Sequence, residues 1–198
     1  MILTAVEGRV LRVTLNRPEH RNLLTAETAR ELVAVIATAQ ADAGVGAVLL
    51  DARGEFFCYG GELADLGTLR KPLVAAVKGA ALGAGMALVA SAHIAVASQG
   101  TSFGLLEIRN RAFPSGLRVV AAAIGWRRAT ELALTGRVCS TPEALQMGLV
   151  TEIAPAFEYE ERADAIAQLV AGADADVVAR ILVARSREVV LLDPDCSS

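Results

Sequence analysis

Apolar and polar positions divide the chain into segments of recognisable period. Arg9 to Leu15 alternates as R-V-L-R-V-T-L, which predicts an early strand, and Asn16-Arg17-Pro18-Glu19 breaks it. In the segment TAETARELVAVIATAQA, Leu32, Val35, Ile36 and Ala39 recur at helical spacing, with Thr25 as the predicted N-cap. Ala47 to Leu50 and Leu73 to Val77 are short unbroken apolar runs, the pattern of strands buried on both faces. A Gly-rich turn and a helix of small residues follow the second run. Trp126 to Leu134 is helical in pattern, Thr135-Gly136-Arg137 is a turn, and Thr141 is the predicted cap of a short helix that stops at Gly148. Val150 to Ile153 predicts a last strand, and Glu158 to Val170 an amphipathic helix that Gly172 ends. Alternating strands and helices imply an α/β fold with mainly parallel strands.

The 198 residues suit one domain over 1–198, with 151–190 as a C-terminal helical part and 191–198 as a disordered tail. Hydrophobic residues make up 54% and charged residues 21%, which excludes a disordered chain. A net charge of −3 argues against nucleic acid or an anionic membrane as partner. Mean hydropathy is +0.45, yet the most apolar stretch, Gly79 to Ala92, is shorter than the roughly 20 residues a spanning helix needs. The first residues, MILTAVEGRVLRVTL, lack the charged start and cleavage site of a signal peptide. Cys58, Cys139 and Cys196 are scattered and not at metal-ligand spacing, so a reduced cytoplasmic protein without a metal site is expected.

Chemistry concentrates in two glycine turns that follow buried strands. These are Phe57-Cys58-Tyr59-Gly60-Gly61-Glu62-Leu63 and Gly79-Ala80-Ala81-Leu82-Gly83-Ala84-Gly85-Met86. Glycine opens backbone conformations closed to other residues and lets a ligand approach the peptide N–H. Two such turns side by side would aim two amides at one developing oxyanion. Tight packing alone is the competing explanation of the same glycines. His20 lies in a polar loop, His93 suits packing or capping, and no nucleophile-elbow pattern supports a Ser-His-Asp hydrolase.

The chain resembles the enoyl-CoA hydratase/isomerase (crotonase) family. The resemblance is carried by Val13 to Glu19 with Arg21-Asn22, by Phe57-Cys58 with Gly60 to Leu63, and by Lys71 to Val77. It continues through Gly79, Ala81 to Gly85, Phe103 to Ile108, Phe113-Pro114, Leu134 to Arg137, Glu143-Ala144 and Gly148 to Val150. It implies a crotonase (ClpP-like) α/β fold of repeated ββα units, with a shortened C-terminal helical region. It implies no separate cofactor, CoA or phosphopantetheine entering as part of an acyl-CoA or acyl-carrier-protein thioester. A homotrimer or hexamer is the implied assembly.

Carried over residue by residue, the family's two oxyanion amides fall on Gly61 and Ala84, with Gly85 as the alternative second donor. Arg21, Leu23, Tyr59 and Gly60 fall near the CoA nucleotide and pantetheine. Hydratases of the family use two glutamates; the first position here is Ala87 and the second is Glu107. Alanine neither orients nor deprotonates water, and a lost acid–base group forfeits on the order of 10²–10⁴ in rate. The resemblance therefore points to an isomerase in which Glu107 shuttles the proton. A decarboxylase of malonyl- or glutaconyl-type thioesters and a non-catalytic acyl-thioester binder are the alternatives, and an ion pair of Glu107 with Arg109 or Arg111 is the structural reading of that carboxylate. Only Glu62 to Arg70 separates Gly61 from Lys71, a shorter segment than relatives carry, which implies a more open site or one closed by a neighbouring subunit.

Overall fold

The structure, a computed structural model, describes residues 1–67 and 69–190, the side chains of 185–190 excepted. Strand β1 (Ile2–Glu7) turns back into β2 (Val10–Leu15), and α1 (Ala26–Ala41) crosses to β3 (Ala47–Ala52). Strands β4 (Leu73–Val77) and β5 (Ala80–Leu82) lead into α2 (Ala84–Ser91), and β6 (Ile94–Ser98) and β7 (Ser102–Gly104) lead towards α3 (Leu117–Ile124). These are two of the expected ββα units. Then follow α4 (Trp126–Thr135), β8 (Val138–Ser140), α5 (Thr141–Met147), β9 (Glu152–Ala154), α6 (Tyr159–Ala171) and α7 (Ala175–Val190).

Six strands form the main sheet in the order β1-β2-β3-β4-β6-β9, parallel except for the antiparallel β1–β2 pair. A second sheet has the order β5-β7-β8, and Cys58 extends it through a parallel bridge to Ala81. The unbroken apolar runs reflect burial on both faces of the main sheet. Val48 and Leu50 of β3 and Leu73, Ala75 and Val77 of β4 face one core with α1 and α2. Their alternates Ala47, Leu49, Val74 and Ala76 face a second core closed by Tyr159, Ala163, Ala167 and Ala171 of α6. Each fully buried leucine of β3 contributes about 1.5–3 kcal/mol.

Thr25 caps α1 as expected, its Oγ1 accepting from Thr28 N at 3.2 Å. His93 has the structural role read from the sequence: its Nδ1 accepts from Leu73 N at 3.0 Å and its own N–H donates to Leu73 O at 2.8 Å. The predicted cap of α5 is corrected by one residue. Ser140, not Thr141, is the N-cap, because Glu143 then sits where its carboxylate accepts from Ser140 N at 2.9 Å in a capping box. The last strand begins at Glu152 rather than Val150. The expected tail, 191–198, lies outside the described residues. Among the described residues no helix is long and apolar enough to cross a membrane, and no group of three His, Cys, Asp or Glu side chains could hold a metal ion.

Candidate active site

The two glycine turns meet edge to edge. Cys58 N donates to Ala80 O at 3.1 Å and Leu82 N donates to Cys58 O at 2.9 Å, which fixes the first turn against the second. On its other side the first turn is tied to Leu24, whose N–H donates to Gly60 O and whose carbonyl accepts from Glu62 N, both at 2.9 Å. The Gly60–Gly61 peptide is trans and its carbonyl is turned to Leu24 N, so the Gly61 N–H points away from Leu24. Only glycine fits there: φ is +103°, and a Cβ would stand 2.1 Å from Leu24 O.

The position expected for the second donor lies at the start of α2. Gly83 is its N-cap, and Ala84 and Gly85 open the first turn, where amides have no partner one turn back. The Gly83 N–H is already used, donating to Gly104 O at 2.8 Å. The amides of Gly61, Ala84 and Gly85 take no backbone partner among the described residues. Helix α2 adds the positive end of its dipole. Ala84 is 1% exposed, and Gly85 lets the helix dock, since a Cβ there would meet Cys58 O at 2.3 Å.

Glu107 reaches this point from the 3-10 turn Glu107–Asn110 that follows β7. Its Oε1 lies 2.9 Å from where a Cβ on Gly83 would stand. Its Oε2 is buried and has no hydrogen-bond partner. Among the described residues Glu107 forms no ion pair with Arg109 or Arg111, so the structural reading of this carboxylate is not what the fold shows. Ala87 is fully buried on the next turn of α2, against Gly116 at the start of α3. Cys58 is buried and its thiol is pushed up to about 11 by desolvation, which favours the neutral thiol over a thiolate.

At the outer rim the Arg21 guanidinium lies over the Tyr59 ring, 5.0 Å from its centroid, and over Phe56 at 5.8 Å. The two rings meet edge to face at 5.2 Å. Phe56 is a rim residue that sequence reasoning missed; the signal was the pair Phe56-Phe57, of which Phe57 is buried and Phe56 is not. Asn22, another, is the buried organiser of this loop, its Nδ2 donating to Arg53 O at 2.8 Å and Phe56 O at 2.7 Å. Leu23 is exposed and shares a cavity of about 270 Å³ with Arg17, His20, Arg21 and Thr25. Thus Gly60, Gly61, Ala84, Gly85 and Glu107 converge at the turns, while Arg21, Leu23 and Tyr59 form the rim. The larger cleft, about 840 Å³ around Arg12, Asp51, Lys78 and Asp164, contains none of these residues.

Among its described residues the short segment after Gly61 has no helix. Ala64 and Leu69 anchor it in the core, and Gln40 Oε1 accepts from Arg70 N at 2.7 Å and Lys71 N at 2.9 Å. A groove of about 410 Å³ stays open between this strap and α1.

Known proteins are similar to this chain in sequence and fold. The sequence profile described as enoyl-CoA hydratase/isomerase matches residues 5–69 and 63–189. A probable enoyl-CoA hydratase of Rhizobium meliloti is 32% identical, over 97% of this chain and 84% of that protein. A short-chain-enoyl-CoA hydratase of Clostridium acetobutylicum is 30% identical, over 84% of this chain and 73% of that protein. The crystal structure of an enoyl-CoA hydratase from Mycobacterium smegmatis superposes with a TM-score of 0.87 at 30% identity, over 96% of this chain and 90% of that one. With its ββα units, its paired glycine turns and its carboxylate at their junction, the chain belongs to the enoyl-CoA hydratase/isomerase family of enzymes.

Proposed function

We propose that the protein processes an acyl thioester, of CoA or of a carrier protein, through an enolate held by the N–H groups of Gly61 and Ala84. Glu107 is the proton carrier, and double-bond isomerisation is the reaction. The observation that carries this reading is the Glu107 carboxyl: buried at Oε2, without a hydrogen-bond partner, and set against the oxyanion turns. On a 3-enoyl thioester the carboxylate takes a proton from C2, and the electron pair moves into the thioester carbonyl. The resulting dienolate oxygen accepts from the two amides. The carboxylic acid then returns the proton to C4, which leaves the 2-enoyl thioester and a carboxylate again.

The relatives are named hydratases, and hydration needs a second group to hold and deprotonate water. At the corresponding position this chain offers the buried methyl group of Ala87. The same site without a water-activating carboxylate also suits decarboxylation, in which loss of CO₂ rather than a proton generates the enolate. No separate cofactor is required in either case. Arg21, Phe56 and Tyr59 provide a cationic and aromatic rim for the nucleotide or pantetheine end of the substrate.

The test is turnover of a 3-enoyl-CoA to its 2-enoyl isomer by wild type and Glu107→Gln. Isomerisation by the wild type that falls by on the order of 10²–10⁴ in the variant, with acyl-CoA affinity held within about threefold, supports the proposal. Hydration of a 2-enoyl-CoA at a rate matching the isomerisation would count against it. Release of CO₂ from a malonyl-type thioester that survives Glu107→Gln would move the assignment to decarboxylation.

A further inference from the structure

Gly83 does more than turn the chain into α2. Its backbone, at φ +53° and ψ −120°, is one that residues with a side chain rarely adopt. A Cβ on it would stand 2.9 Å from Glu107 Oε1 and 3.4 Å from Glu107 Cδ, with Gly60 Cα 3.6 Å away. The carboxyl group therefore sits against the bare backbone of Gly83, the residue just before the proposed second oxyanion donor. The other tie between these parts is the bond from Gly83 N to Gly104 O, three residues ahead of Glu107.

We infer that Gly83 is a positioning residue for the proton carrier: the missing side chain at this one position seats the Glu107 carboxylate beside the oxyanion turns. The inference rests on the enolate reading above. A methyl group at residue 83 leaves the Ala84 amide in the chain but forces the far end of the Glu107 side chain out of this seat. Misplacement of a catalytic group by about 1 Å can lose on the order of 10²-fold in rate.

The experiment is a double-mutant cycle on the 3-enoyl-CoA reaction with Gly83→Ala, Glu107→Asp and the pair. Gly83→Ala should lower kcat at least about tenfold with KM within about threefold. Glu107→Asp draws the carboxylate back by one methylene, so in that background Gly83→Ala should lose less than about threefold more. Equal losses in both backgrounds would overturn the inference. Gly100→Ala gives the control for backbone strain, since Gly100 has φ +82°, nothing within 4 Å of its Cβ position and no place in the site. It should leave kcat unchanged.

If Gly83→Ala does not fold, Glu107→Asp alone decides. A kcat at least about tenfold down with KM held supports the placement, and wild-type kcat overturns it. A second readout does not need turnover. In protein carrying ¹³C-carboxyl glutamate, the Glu107 resonance, assigned by its loss in Glu107→Gln, should move in Gly83→Ala and stay in Gly100→Ala. An inactive wild type with this movement would reject the proposed reaction and keep the placement; an unmoved resonance would reject the placement.

Discussion

The two turns that meet at Glu107 share a glycine pattern but are held in different ways. The second, from Ala80 through Gly83 into α2, is buried along its whole length and packs against Cys58 on one side and Gly116 on the other. The first emerges at Gly61 and runs into a strap whose described residues form no helix or strand, pinned by Ala64, Leu69 and the side-chain oxygen of Gln40. One donor is thus part of a wall, and the other lies at the edge of an open groove. On the proposed function, the wall would define where charge is stabilised and the strap would border the way in. Substitutions should separate the two.

The largest effect is expected in the wall. Gly85→Ala brings a methyl group to 2.3 Å from the Cys58 carbonyl oxygen, a backbone atom that cannot swing aside. The loss should be on the order of 3 kcal/mol, within the range of core overpacking. By the usual scaling that is roughly 6–12 °C in Tm for a chain of this size, read by thermal denaturation. Gly85→Ala at wild-type Tm would break the comparison at its stronger end.

On the strap, Gln40→Ala removes the acceptor for two amides, which then turn to water. The loss should be about 1–2 kcal/mol in urea unfolding. Faster proteolytic nicking between residues 62 and 71 should accompany it. Gly67→Ala should come next, at about 1 kcal/mol, since φ is +62° but nothing lies within 4 Å of the new methyl group. A loss from Gly67→Ala as large as that from Gly85→Ala would erase the distinction between strap and wall.

Acid should weaken the fold without distinguishing the turns. Glu143 is held below the usual carboxylate range by the Ser140 backbone N–H and side chain, and Glu160 by the Tyr159 hydroxyl. A depressed carboxylate contributes stability above its unfolded value, about 4.5, and loses it as pH falls through the folded one. Both sit away from the turns, so a Tm that falls between about pH 5 and pH 3 should do so by the same amount in Gln40→Ala as in the wild type.

These contrasts also explain what was legible in the sequence. Leu73 to Val77 was read with its observed bounds because a strand buried on both faces leaves an unbroken apolar run. Strands β5, β7 and β8 have three residues each, too few to display any period. Strand β1 is exposed at every position but Ile2, so no alternation marks it. The cap of α5 was ambiguous because Ser140 and Thr141 are adjacent and both suitable. Counting three residues back from Glu143 resolves it in favour of Ser140.

At the site, the donors at Gly61 and Ala84 and the carrier at Glu107 were placed through the family resemblance, and the fold brings those positions together. The seat of the Glu107 carboxyl against Gly83 was not legible. It depends on residues far apart in sequence that approach only when β5 pairs with β7. Phe56 escaped because the Phe56-Phe57 pair marks one of two rings for the rim without saying which.

The central claim is an enolate at Gly61 and Ala84 with Glu107 moving the proton, and deuterium exchange tests it most directly. A saturated acyl-CoA in D₂O should gain deuterium at C2 in the presence of the protein. Glu107→Gln, with acyl-CoA affinity unchanged, should slow that exchange by on the order of 10²–10⁴. Exchange at the wild-type rate in Glu107→Gln, or no exchange by a wild-type protein that binds the thioester, would contradict the account.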